Sequence, residues 1–372
     1  MLEIRSVKTK KEQKEFIEFP LKLYKNNPYF VPPLYGDEKQ LFKSDYVYYD
    51  QAEAEYFNAY RDGKMVGRIS AIIQRSANEK WGQTRARFTR FDSVYDNEVS
   101  DALFRAAESW AKERGMTEIV GPLGFSDLER EGLLIDGFEE LSTFEEQYNY
   151  PYYQKLIEGY GFEKDVDWVE RKLRKPLKPD DRLARISELM MKKYKLHWGT
   201  EKNTAKFLKK YADRIFDLID ETYSKLYGTV PFTDGMKKMT LANFKLMLNV
   251  RYIYVILDEN EKMVCFGVGV PSISKAVQKS GGRLTVPTIF RLLKAIKNPK
   301  IVDLALIGVV PEYASKGIAS AVIAKAIEAF DCGVEYYETN LNLEDNNSIQ
   351  NQWKNFDAVL HKRRRCYIKK IV

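Results

Sequence analysis

The stretch "IVDLALIGVVPEYASKGIASAVIAKAIEAF", residues 301–330, admits few structures. Its first third is apolar and β-branched, as a buried strand is, and its last third places apolar residues at helical spacing. Between them lies "PEYASKGIAS", whose single glycine, Gly317, lets the chain turn sharply. A strand feeding a helix through so short a loop predicts α/β structure. It also aims the unpaired N–H groups of a helix start at the end of a strand, where those groups and the helix dipole can hold an anion.

The same order of elements occurs twice along the chain. In the first half, "LEIRSV" reads as a strand and "KKEQKEFIEFPLKLYKN" as a helix that ends before Pro28, Pro32 and Pro33. "AEYFNAYRDGKMVGRISAII" reads as a hairpin turned at Asp62-Gly63. The strand "RARFTRFDSV", the helix "NEVSDALFRAAESWAKERG" closed by Gly115, the strand "TEIVGP", an irregular stretch, the helix "YYQKLIEGYG" and the strand "KDVDWVERKL" follow. "RKPLKPDDR" has the composition of a linker. Beyond it come a helical region to about Leu248, a hairpin-like pair around Glu259-Asn260, the strand-loop-helix of residues 301–330, the strand "YYETNLNL", the helix "NNSIQNQWKNF" and the strand "RRCYIKKI". A length of 372 residues exceeds one ordinary core, so the expectation is one fold used twice, in domains 1–178 and 179–372 with the boundary at Pro179.

Composition removes several kinds of chemistry. His197 and His361 are the only histidines, too few for a multi-histidine metal centre, and Cys265, Cys332 and Cys366 show neither CxxC spacing nor an even count. No metal is therefore expected. A net charge of +7 is small for a nucleic-acid binder. The charged N-terminal stretch and the want of a long apolar run predict a cytoplasmic protein with no membrane and no nucleic-acid partner.

The second half resembles a GNAT-type acyl-CoA N-acyltransferase domain, and the full chain resembles bacterial proteins with two such folds in tandem. "DENEKMVCFGVGVPSISK", "LIGVVPEYASKGIASAVIAKA", "NLEDNNSIQNQWKNFDA" and "HKRRRCYIKKI" carry the resemblance in the second half; "GPLGFS", "GLLIDGF" and "YNYPYYQKLIEGYGF" carry it in the first. It implies two GNAT-like folds, each a mixed, mostly antiparallel sheet flanked by helices, with acetyl-CoA or coenzyme A as co-substrate in the second. Val309 and Val310 would offer backbone groups to the pantetheine arm. Ser315, Lys316, Gly317, Ile318, Ala319 and Ser320 would form the pyrophosphate loop, and Asn346 would approach the coenzyme, although it also suits a helix cap. The chain departs from the family at Ala314, where Gln or Arg is usual, with Lys316 or Ser315 able to compensate. It departs again at Trp353, where many relatives have Tyr, and at Asp357-Ala358, where Gly-Phe usually follows.

Acyl transfer to an amine requires a group that removes a proton. Glu338, Glu344 and Asp345 lie on or after the strand beside the implied acyl site and are the candidate bases. The first half has no glycine loop, and Asp92, Asp96 and Glu98 would repel phosphate there. That half is expected to wall a substrate cleft, with Asp136, Tyr148, Asn149 and Tyr152 as lining residues. "HKRRRC" reads as basic residues on an edge strand, facing solvent and discouraging further pairing. "RLLKAIKNPK" reads as the polar face of an amphipathic helix. The expected function is transfer of an acyl group from acetyl-CoA or a related acyl-CoA to a primary amine of a small molecule or peptide. The alternatives are a degenerate GNAT-fold ligand-binding protein and a tandem aminoacyl or long-chain acyl transferase.

Overall fold

The computed structural model describes residues 1–177 and 182–371. The strands of the first half are β1 (Leu2–Ser6), β2 (Ala52–Arg61), β3 (Lys64–Gln74), β4 (Arg85–Ser93), β5 (Glu118–Gly121), β6 (Leu133–Asp136) and β7 (Glu163–Arg174). Those of the second are β8 (His197–Trp198), β9 (Ile253–Leu257), β10 (Met263–Pro271), β11 (Ile301–Val309), β12 (Tyr336–Thr339), β13 (Asn342–Leu343) and β14 (Asp357–Lys370). They form one sheet in the order β1-β2-β3-β4-β5-β14-β7-β12-β11-β10-β9-β8, with β6 beside β14 and β13 beside β7. Only β4–β5 and β11–β12 run parallel, which gives the mixed, mostly antiparallel sheet that the sequence predicts.

Local chemistry explains most elements. The β2–β3 hairpin turns on Asp62 and Gly63, with φ of 49° and 75°, the left-handed pair that a two-residue turn requires. Thr9 and Glu12 form a capping box for the helix Lys10–Leu23, and Asp96 caps the helix Asn97–Lys112. On β3, Ile69, Ala71 and Ile73 pack with Leu103 and Phe104 of that second helix, while Ile72 faces the other way, toward a cluster containing Phe16. Period-two alternation thus buries both faces of the strand.

The centre of the sheet overturns the reading of "HKRRRC" as an edge. β14 lies between β5 and β7, and Lys362 and Arg364 are buried. Both find partners on facing strands. Arg364 Nε donates to Glu170 Oε1 at 2.6 Å, and Lys362 Nζ contacts Glu338 and lies 3.3 Å from Glu170 Oε2. The expected boundary at Pro179 lies outside the described residues. On either side of it the halves exchange strands: β14 completes the first half's run of strands, and β7 completes the second's.

Each half carries a bulge at the corresponding place. Between β3 and β4 the register shifts from Arg68/Asp92 to Ser70/Thr89, with Arg90 at φ 49°. Between β10 and β11 it shifts from Val268/Leu306 to Gly269/Leu304, leaving Ala305 as the extra residue. Past each bulge the parallel neighbour diverges: β4 and β5 pair over Arg85–Arg87 only, and β11 and β12 over Ile301–Leu304 only. In the first half the gap closes at once, Leu123 N donating to Phe88 O at 2.8 Å. In the second half it stays open.

Candidate active site

The gap beside β11 opens into a cavity of about 500 Å³. Gly308, Val309, Ala314, Ala319 and Val322 form its wall on the side of the loop, and Leu208, Ile215, Phe216, Leu241 and Phe244 form an apolar wall from neighbouring helices. Asn346 and Trp353 close one side, and Asp127, Glu131, Glu145 and Glu146 reach it from the first half.

The loop is a 3-10 turn, Pro311–Lys316, followed by Gly317 and the helix Ala319–Glu328. Gly317 has φ 72°, and a Cβ there would meet nothing closer than Ser320 Oγ at 4.0 Å, so its outer side is free for a ligand to approach. Ser320 N and Ala321 N already bond back to Gly317 O and Ile318 O, which leaves the preceding N–H groups as the helix's outward donors. Ile318 and Val310 are core residues that anchor the loop. The Lys316 ammonium lies over the rings of Tyr313 and Tyr194, at 4.4 and 4.9 Å, and is held by aromatic faces beside the loop. Ser315 belongs to the 3-10 turn.

The bulge at Ala305 turns the backbone so that Ile307 faces the open gap. Tyr223 occupies that edge, its hydroxyl donating to Ile307 O and accepting from Ile307 N, both at 3.0 Å. Burial pushes this phenol up to about 12. Val310 N bonds to Val264 O, away from the gap, so alternation points the groups of Val309 into it. An open strand edge at Val309 and a left-handed glycine with free space fit a pantetheine arm and a pyrophosphate, whereas Ala314 lines the cavity without a polar group to offer.

Asn346 lines the cavity and also caps the helix Asn347–Gln352, accepting from Ile349 N at 3.3 Å. Trp353 is buried with its indole N–H donated to Asn342 Oδ1 at 2.7 Å. The three candidate carboxylates lie elsewhere. Glu338 is held in the buried β14 network, and Glu344 bonds Lys164 at 2.5 Å and Arg363 at 2.6 Å. Asp345 is exposed. Of the expected cleft residues, Tyr148 lines a second cavity of about 460 Å³. Asn149 instead clamps both backbone groups of Leu134, Tyr152 donates to Ser93 O at 2.8 Å, and Asp136 accepts from Gly137 N at 2.9 Å.

Sequence reasoning missed the carboxylates that do reach the cavity. Burial, then the like charges of Asp127 and Glu146, hold the Glu131 carboxyl well above the usual range, against the pull of Arg87. Among the described residues it accepts no hydrogen bond. Burial also raises Asp127, Glu145 and Glu146, and neither Glu145 Oε1 nor Glu146 Oε2 accepts a hydrogen bond. A sequence signal existed: six glutamates between residues 129 and 146, set among Leu, Phe and Tyr, are too many for a stretch so apolar unless some are used. Glu170, Glu338 and His361 bring possible ligand atoms within 4.8 Å of one another, but the Lys362 ammonium already touches both carboxylates, so that cluster carries its own cation.

No protein-family model matches the chain. Protein YghO of Escherichia coli is 27% identical over 379 residues, covering 99% of this chain and 95% of that one. A Caulobacter vibrioides protein named bacterial ceramide synthase is 26% identical over 386 residues, covering 99% and 97%. A solved tandem GNAT protein from the clavulanic acid biosynthesis pathway superposes with a TM-score of 0.56 at 12% identity, over 100% of this chain and 99% of that one. The open gap beside a bulged strand and the duplicated topology belong to the GNAT class of folds. This chain has the tandem GNAT fold along its whole length.

Proposed function

We propose that the chain is an N-acyltransferase that moves an acyl group from an acyl-CoA thioester to a primary amine, and that the acyl group is long. The observation that carries this reading is the apolar cavity of about 500 Å³ running from the Gly317 loop and the free edge of β11 to the carboxylates of the first half. An acetyl group would leave most of that apolar space unused, whereas ligand sites of this size enclose molecules many carbons long. The relative named bacterial ceramide synthase supports the same reading, since a ceramide is a long-chain amide.

In this reading the substrate enters as an ammonium and first gives up one proton to solvent. The neutral amine nitrogen then attacks the thioester carbon, the C–S bond breaks, and a second N–H proton leaves as the amide forms. Glu131 takes that proton. Burial raises its affinity for protons, so its ionised fraction is a stronger base than an exposed glutamate and grows as pH rises. Tyr223, protonated at neutral pH and seated at the gap, supplies a proton toward the leaving thiolate in place of the tyrosine that Trp353 replaces. The backbone N–H groups of the Gly317 loop hold the pyrophosphate.

The test is thiol release with acyl-CoAs from acetyl to palmitoyl against a panel of primary amines, beside calorimetric titration with coenzyme A. Turnover should rise with acyl length, fall about 10²–10⁴-fold in Glu131→Gln, and vanish with coenzyme binding in Gly317→Glu. Coenzyme binding without thiol release from any pair would favour the degenerate ligand-binding alternative, and absence of binding would defeat both.

A further inference from the structure

The helix Val286–Lys297 is seated by one face only. Thr288 is buried, and Leu292 and Ile296 pack on the cluster of Val31, Met247, Val270, Ile273 and Val277. The opposite face is apolar and open: Val286 is 68% exposed, Ile289 46%, Phe290 70% and Leu293 55%. Positions 286, 289, 290 and 293 form a single stripe at helical spacing. A stripe of this kind on one short helix is a surface that water covers poorly.

The charge around it has one sign. Residues 274–300 hold seven Lys or Arg and no Asp or Glu. Arg283 pairs with Glu18 at 3.0 Å and Lys300 with Glu335 at 3.2 Å. Arg291, Lys294 and Lys297, on the helix itself, are exposed and have no ion-pair partner among the described residues. We propose that this helix docks in the plane of an anionic lipid bilayer, with Phe290 and Leu293 entering the acyl boundary and Arg291, Lys294 and Lys297 meeting the headgroups. An apolar stripe flanked by unpaired basic residues fits a surface that offers hydrocarbon and diffuse negative charge together. Among the described residues no helix is long and apolar enough to cross a membrane.

The position of the helix gives the docking a use. The cluster under Leu292 and Ile296 also includes Phe244, Leu248, Val268, Val270 and Ala305, all of which line the 500 Å³ cavity. The docked helix would therefore hold the cavity wall against the bilayer. This replaces the expectation of a solvated "RLLKAIKNPK" with no membrane partner. It stands on the exposed stripe and its charge, whatever reaction the cavity performs.

The test is flotation of the full chain with vesicles of phosphatidylcholine alone and of equal parts phosphatidylcholine and phosphatidylglycerol. The chain should float with the anionic vesicles and sediment with the neutral ones, with binding weakened by added salt. Phe290→Ser/Leu293→Ser should reduce partitioning about tenfold or more. Arg291→Gln/Lys294→Gln should reduce it about fivefold per charge. All four side chains are exposed, so an unchanged melting temperature confirms that these variants fold. Failure to float with either vesicle, equal flotation with both, or flotation unaffected by the substitutions would overturn the proposal. So would a dimer in solution that Phe290→Ser/Leu293→Ser dissociates while vesicle binding stays nil, since the stripe would then join two copies of the chain.

Discussion

The two bulged strands, β4 and β11, occupy matching places in the two halves, and they treat the gap beside them in opposite ways. At the first bulge stands Arg90, which pairs with Glu38 at 3.1 Å and Glu129 at 3.7 Å, while Arg68 pairs with Asp92 at 2.8 Å nearby. Phe88, Phe91, Phe104 and Phe162 pack behind it with ring centroids 4.5–6.5 Å apart. At the second bulge stands Ala305, and Gly308, Ala314 and Ala319 continue the small-residue lining. Topology supplies a bulge twice, and the side chains around it decide what lies there: arginines and carboxylates line a chamber at the first, and small apolar residues line the cavity at the second. The loop into the helix follows suit: Asp96 caps the first helix where Gly317 opens the second.

The largest effect should come from the seam that both halves share. Lys362→Met leaves Glu338 buried without its ammonium and Glu170 with Arg364 as its remaining cation, which should cost about 3–5 kcal/mol. Because β14 belongs to the second half by sequence and to the first by pairing, amide exchange should quicken in β4 and β11 together. Loss confined to one half would show that the halves are stabilised separately. Next in size, Phe104→Ala in the filled half should cost about 3 kcal/mol, and Leu208→Ala on the cavity wall about 2 kcal/mol, read as shifts in denaturant midpoint. Equal costs would mean that the cavity wall is as tightly packed as the aromatic core.

The second chamber is lined mostly by the first half, with Met239, Asn243 and Met247 from the second half, and it is a charged one that pH separates from the other. Asp37 lines it, and burial followed by the neighbouring Glu38 pushes its carboxyl up to about 6. A carboxyl raised in the folded state contributes stability that is complete below its unfolded value, near 4, and is lost as pH rises through about 6. Asp37→Asn removes that loss. The variant should gain up to about 2 kcal/mol over the parent at pH 8 and nothing at pH 4, measured by urea unfolding. A constant difference across that range would show that Asp37 does not feel the chamber's charge.

Much of this contrast was legible in the sequence, because it rests on local signals. Asp62-Gly63, Gly115 and Gly317 mark turns by their own chemistry, and the glycine loop present in one half and missing from the other needs only reading. The seam was not legible. Alternation in "HKRRRC" is the same whether the facing residues meet water or carboxylates, and the partner of Arg364 is Glu170, 194 positions earlier. The carboxylates of the cavity escaped for a similar reason. Glu131 and Glu146 lie in irregular segments on either side of β6, between β5 and the helix Tyr152–Gly159, where periodicity reveals nothing about which side chains turn inward. The apolar stripe of Val286–Lys297 shows the same limit, since the period of a helix identifies its two faces and not the one that is covered.

The smallest predicted effect is the most direct test of the small side chains at the second bulge. Ala305→Phe gives the second bulge a side chain comparable in bulk with those that fill the first half, and places it in the lining of the cavity. Overpacking should cost about 1 kcal/mol of stability. Calorimetric binding of coenzyme A should survive, because Gly317 and the free edge at Val309 are untouched. Thiol release from palmitoyl-CoA should fall about tenfold, equivalent to about 1.4 kcal/mol of barrier, while release from acetyl-CoA should change little. If both donors lose equally, the side chain has disturbed the thioester's position and not the room for its chain. If neither loses, the long acyl group does not lie along the wall that Ala305 lines, and the small residues beside β11 serve some purpose other than acyl space.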